Sequence, residues 1–191
     1  MPSLADSVVF VFPAAPLSLA EKGYPESCRA WWHLDMEKIT AAVASGQLRD
    51  QRNDMPPELP AAREALQGLL AQLREEYQLT MSQVVLGGFS QGSMLATDVA
   101  IRADQTLGGL VVWSGTLLCE SEWREMVPNH KTLRVLQTHG EHDMVLPYVA
   151  AEWLRDMWSD FDIDVEFISF PGVHTIPREG LIGLIRMLQS M

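Results

Sequence analysis

Val84-Val-Leu-Gly-Gly-Phe-Ser-Gln-Gly-Ser-Met-Leu-Ala96 is the stretch around which the rest of the chain is arranged. Val84, Val85 and Leu86 form a short apolar run, rich in β-branched residues, that ends in glycine, as a buried strand does. Gly88-Phe-Ser-Gln-Gly92 follows, and Met94, Leu95 and Val99 then recur at helical spacing. Strand, G-x-S-x-G and helix in that order describe a nucleophile elbow, a tight turn that lifts a serine hydroxyl out of a sheet. Glycines flank Ser90 because strand and helix backbones nearly touch there, and a Cβ would clash. Ser90 then lies at a helix N-terminus, where backbone N–H groups stabilise a developing oxyanion. Gly-rich turns containing serine are common, so the five residues carry weight only with the strand before them and the helix after them.

Upstream, Val8–Phe12 (V-V-F-V-F) reads as a strand buried on both faces, the habit of parallel sheets, and Pro13 and Pro16 stop it. Leu17–Arg29, with Gly23 and Pro25, reads as a loop over the carboxyl ends of the strands. In Trp31-Trp32-His33-Leu34-Asp35, adjacent tryptophans cannot both face one core along a strand or helix. Either one lines a cleft or both pack on the flank of the domain. Met36, Ile39 and Val43 share a helical face with Gly46 as its C-cap, and the polar segment Gln47–Pro60 is a connector. Leu66, Leu69, Leu70, Leu73 and Tyr77 predict an amphipathic helix over about residues 61–77.

Downstream, Gly109–Gly115, Thr132–Thr138 and Val165–Phe170 read as strands. Ala150, Trp153, Leu154, Met157 and Trp158 form a core-facing helical stripe. Leu181, Leu184, Ile185 and Leu188 mark a closing helix with Pro177 in its first turn. No pattern assigns Trp123–Asn129. Strands alternating with helices predict an α/β fold, a mostly parallel central sheet with helices on both faces. At 191 residues, the whole of 1–191 reads as one domain.

A net charge of −11 argues against nucleic acid and against anionic lipid as partners. No run approaches the roughly 18 to 20 apolar residues of a membrane span. The segment before Val8 carries Asp6 and no basic residue, unlike a signal peptide. Cys28 and Cys119 lie far apart without paired spacing and read as reduced thiols of a cytoplasmic protein. The oligomeric state is left open.

A serine hydroxyl needs a base to take its proton, and a neutral imidazole suits that task. The base in turn needs a carboxylate that fixes its tautomer. Elbow enzymes carry these groups in the order serine, acid, histidine, each on a loop after a strand. Asp143 follows the strand Thr132–Thr138, and His174 follows Val165–Phe170 in a Gly-containing exit loop. His33 precedes the serine, and His130 has no strand before it. His139 and His142 share the loop of Asp143 and would only replace it. Their H-x-x-H spacing beside acids lacks the further ligands that a metal site needs.

G-G-F-S-Q-G (Gly87–Gly92), H-G-E-H-D-M-V-L-P (His139–Pro147) and G-V-H-T-I (Gly172–Ile176) together resemble the signature blocks of the phospholipase/carboxylesterase family. That family includes acyl-protein thioesterases and bacterial carboxylesterases. Phe12-Pro-Ala-Ala-Pro16 is similar to its F-P-x-A-P segment, and Trp31–Asp35 to its substrate-side tryptophan stretch, so the likeness covers about residues 8–191. The resemblance implies an α/β-hydrolase fold and a serine carboxylesterase or thioesterase that hydrolyses short to medium acyl esters through an acyl-enzyme, without cofactor or metal. It implies Ser90, Asp143 and His174 as the triad, with the Gln91 N–H toward the oxyanion. Trp31 and Trp32, with Met144, Val145 and Leu146, form an apolar acyl pocket or pack in the core. One departure stands out. The family's H-G-x-G loop and its strand, which lies beside the elbow strand, have no counterpart before Val8. Loss of one oxyanion donor costs on the order of 10² to 10³ in rate. The alternative expectation is therefore a catalytically impaired protein that binds an acyl ligand or a partner.

Overall fold

The computed structural model describes residues 7–45 and 50–191. Two short strands, β1 (Leu17–Ser18) and β2 (Arg29–Ala30), pair antiparallel. Helices α1 (Met36–Ser45) and α2 (Leu59–Tyr77) follow. The chain then alternates as β3 (Val85–Phe89), α3 (Gln91–Ile101), β4 (Gly109–Trp113), α4 (Glu120–Met126), β5 (Arg134–Gly140), α5 (Tyr148–Asp160), β6 (Asp164–Phe170) and α6 (Arg178–Gln189). β3 to β6 are parallel neighbours in chain order, each brought beside the last by a crossover helix.

One face of this sheet carries the main core. Leu110, Val112 and Val135 meet Leu95 and Val99 of α3, Leu154 and Met157 of α5, and Leu66 and Leu70 of α2, which packs on α3. Helix α6 lies on the other face. It approaches so closely that a Cβ at Gly183 would touch Leu136, and one at Gly180 would touch Trp113 and Thr138. The closing helix thus forms where its apolar spacing predicts, but it seats glycines on the sheet. Leu184 and Leu188 are half-buried, while Leu181 and Ile185 are exposed.

The largest correction concerns Val8–Phe12. These residues form no strand, and Val9 (61% exposed) and Phe12 (88% exposed) face solvent. An apolar run becomes a parallel strand only against a neighbour's free edge. Among the described residues β3 pairs with β4 alone, and Val8–Phe12 does not reach it. The Leu17–Arg29 loop is partly ordered by the β1–β2 pair. The unassigned segment is α4 followed by a 3-10 turn, Val127–His130, with Trp123 fully buried. Gly46 lies outside the described residues. Among the described residues no helix is long and apolar enough to cross a membrane.

Behind the sheet's main core sits a buried carboxylate. Asp98 Oδ2 accepts from Arg63 Nε at 2.6 Å, and Oδ1 accepts from Arg102 Nε and Trp123 Nε1, both at 2.9 Å. This ties α2, α3 and α4 together through one fully buried group. Asp98→Ala leaves two guanidinium groups and an indole N–H without their acceptor. It should lower stability by about 3–5 kcal/mol, read from the urea midpoint. Cys119 is buried with its thiol donating to the Asp54 carbonyl, and burial pushes it up to about 11. Iodoacetamide at pH 8 should therefore label Cys28 in the native chain, and Cys119 only after unfolding, as mass spectrometry would show.

Candidate active site

The turn from β3 into α3 places Ser90 at φ 53° and ψ −122°, a conformation that side chains avoid and that costs on the order of 1–3 kcal/mol. The turn is held by the Ser90 N–H donating to the Trp113 carbonyl at 2.8 Å. A Cβ on Gly88 would collide with the backbone of Gly92 and Ser93, so strand and helix meet without intervening side chains. The Ser90 carbonyl accepts the Ser93 N–H at 3.0 Å and the Ser93 hydroxyl at 2.6 Å. Gln91 opens α3, where the first backbone N–H groups have no acceptor within the helix.

Asp143 sits in the loop after β5. Its Oδ1 accepts the N–H groups of Val145 and Leu146, each at 2.9 Å, and its Oδ2 accepts His174 Nδ1–H at 2.6 Å. Burial alone would raise this carboxyl. The His174 bond, the Leu146 N–H and the charges of both nearby histidines outweigh burial and hold it below the usual carboxylate range. With Asp143 ionised, His174 carries its proton on Nδ1 and keeps the Nε2 lone pair free. The two loops are stitched together, since Glu141 N–H donates to the Phe170 carbonyl and His142 N–H to the Gly172 carbonyl, both at 2.9 Å. A Cβ on Gly140 would lie 2.5 Å from the carbonyls of Gly172 and Val173. The His174 ring packs on Phe89, centroids 4.7 Å apart, directly before Ser90. Ser90, Asp143 and His174 therefore converge at the carboxyl ends of β3, β5 and β6. Among the described residues no hydrogen bond joins Ser90 Oγ to His174.

The other expected positions separate. Trp32 and Leu146 are buried in the core cluster, Trp31 is half-buried against it, and Met144 and Val145 are exposed. A surface recess lined by Arg52, Glu120, Arg124, Trp153 and Asp160 includes none of Ser90, Asp143 and His174. Its charges are already paired, Arg124 with Asp160 at 2.8 Å and with Glu120 at 3.0 Å. Among the described residues no three His, Cys, Asp or Glu side chains gather to hold a metal ion.

His139, which the sequence offers as a substitute for Asp143 or as one half of an H-x-x-H pair, instead lies beside Asp143. Fully buried at the end of β5, it donates Nε2–H to the Leu146 carbonyl at 2.7 Å and lies 3.3 Å from Asp143 Oδ2. Its Nδ1 is buried without a partner. Its burial follows from β5 being an interior strand, buried on both faces from Val135 to Gly140.

The sequence profile described as phospholipase/carboxylesterase matches residues 3–191. A probable carboxylesterase of Oryza sativa subsp. japonica is 31% identical over 94% of this chain and 73% of its own length. Acyl-protein thioesterase 1 of Neurospora crassa is 25% identical over 88% of this chain and 67% of its own. Among solved structures, esterase PE8 superposes with a TM-score of 0.75 at 25% identity, covering 93% of this chain and 76% of that one.

Burial pushes His139 below the usual imidazole range, against the raising effects of the Leu146 carbonyl and Asp143. Below about pH 6.5 an unfolded His139 therefore binds a proton that the native one does not. Its share of stability is full above that pH and is lost as pH falls through the depressed native value, with a slope of at most about 1.4 kcal/mol per pH unit. His139→Gln should remove this part of the decline when urea unfolding is compared at pH 7.5 and pH 5.5.

Proposed function

The chain belongs to the phospholipase/carboxylesterase family of α/β-hydrolases, and on that premise we propose that it is a serine esterase or thioesterase that cleaves short to medium acyl chains through an acyl-enzyme. Ser90 Oγ attacks the acyl carbonyl while His174 Nε2 takes its proton. Asp143 holds the imidazole by its Nδ1–H and stabilises the imidazolium that forms. The tetrahedral oxygen receives the Gln91 N–H at the head of α3. His174 then returns the proton to the departing alcohol or thiol, and water hydrolyses the acyl-enzyme by the same steps in reverse. The reading rests chiefly on the 2.6 Å His174–Asp143 bond, with the ring seated on Phe89 next to the strained Ser90. The free thiols of Cys28 and Cys119 support a reducing, cytoplasmic setting.

A second reading, an acyl-binding protein with little turnover, draws on the absence of a Ser90–His174 hydrogen bond among the described residues. The two readings separate in one experiment. Purified chain and its Ser90→Ala variant are compared on p-nitrophenyl acetate and butyrate, beside labelling by a fluorophosphonate. The esterase reading expects Ser90→Ala to lower kcat at least 10³-fold, with an unchanged circular dichroism spectrum, and to abolish labelling. Equal rates and no labelling of the parent chain would sink it.

A further inference from the structure

The side chain of Gln91 reaches away from the elbow, across 60 residues of sequence. Its Oε1 accepts the Trp31 N–H at 2.8 Å and its Nε2 donates to the Trp32 carbonyl at 2.9 Å. A carboxamide presents the same acceptor and donor as a peptide unit, so Gln91 acts as a one-residue strand neighbour for this segment. It takes over where the β1–β2 ladder ends at Ala30. Without it, two half-buried backbone groups would lose their partners.

This bond pair fixes where an indole lies. Trp32 is 3% exposed and locked in the core, so its neighbour must point elsewhere. Trp31 Nε1 lies 3.7 Å from the place a Cβ on Gly92 would take, which sets the half-buried indole against the first turn of α3, two residues past Ser90. The indole thus stands at the same helix head whose Gln91 N–H faces the oxyanion in the proposed mechanism.

We propose that the Gln91 side chain is a positioning residue for acyl-chain selectivity, holding Trp31 as the wall of the acyl site. The proposal rests on the serine-hydrolase reading of this same site. Through it, one residue serves both ends of the substrate's reacting group. Its backbone N–H faces the oxyanion, and its carboxamide sets how far the chain beyond the carbonyl can extend along the indole.

Gln91→Met keeps the backbone N–H and the side-chain length but can make neither bond. Steady-state kinetics on p-nitrophenyl acetate and octanoate should show its octanoate-to-acetate ratio of kcat/KM changed about fivefold or more, mainly through KM. Trp31→Ala should change the ratio by a similar factor. The double variant should go no further than the larger single one, because both act through the same wall. Gln91→Glu keeps the acceptor for the Trp31 N–H and should recover part of the ratio. Equal effects of Gln91→Met on both esters, or effects that multiply in the double variant, would overturn the proposal. Amide exchange gives a readout free of turnover. Trp31 N–H should exchange at least about tenfold faster in Gln91→Met, while the Leu95 and Val99 amides stay protected. Unchanged Trp31 exchange overturns the clamp whatever the kinetics show. Loss of Ser90-dependent acetate turnover in the parent chain would instead mean that the hydrolase reading has failed.

Discussion

The approach of Gly88 to Gly92 is the constraint on which the rest depends. No side chain fits between the end of β3 and the start of α3, so the chain turns within a single residue and Ser90 takes the strain. That turn sets the direction of α3 along the sheet, and α3 carries Leu95 and Val99 into the core and Asp98 into its buried ion network. The same turn exposes the head of the helix beside the serine hydroxyl. Strain at one residue and stability of the domain are thus coupled. The packing of α3 against β3 and β4 holds a conformation that a free loop would abandon.

Asp143 and His174 depend on a second close approach. Gly140 lets the loop after β5 lie against the carbonyls of Gly172 and Val173, and two backbone hydrogen bonds fasten the loops together. Asp143 is consequently held from both sides, by backbone N–H groups on one oxygen and by His174 on the other. The carboxylate stays ionised through hydrogen bonds, in spite of its burial. His139 behind it is a neutral donor to the Leu146 carbonyl and so steadies the loop that supplies those N–H groups.

What could be read from the sequence was what short-range patterns determine. The elbow announces itself because glycine, serine and strand–helix context are contiguous, and Asp143 and His174 because each follows directly on a strand. The parallel sheet and its crossover helices follow from the alternation of patterns. Val8–Phe12 failed because a continuous apolar run fits a strand buried on both faces but says nothing about whether an edge is there to receive it. The seating of α6 on Gly180 and Gly183 was hidden because leucines dominate the pattern, although close contact selects the residues that lack side chains. The Gln91 bonds to Trp31 and Trp32 join positions 60 and 59 residues apart. No local spacing encodes such a pair.

The strands of the sheet stand in space in the order in which they occur in the chain. Among the described residues each new βα unit therefore adds to the edge left by the one before it. In a chain emerging from the ribosome, β3 and its turn are synthesised before the strands that complete this order. Ser90 enters with β3, whereas His174 enters with the loop after β6, the fourth strand of this order. Under the proposed mechanism, Ser90 would stay without its base until β6 and the loop that carries His174 have joined the sheet.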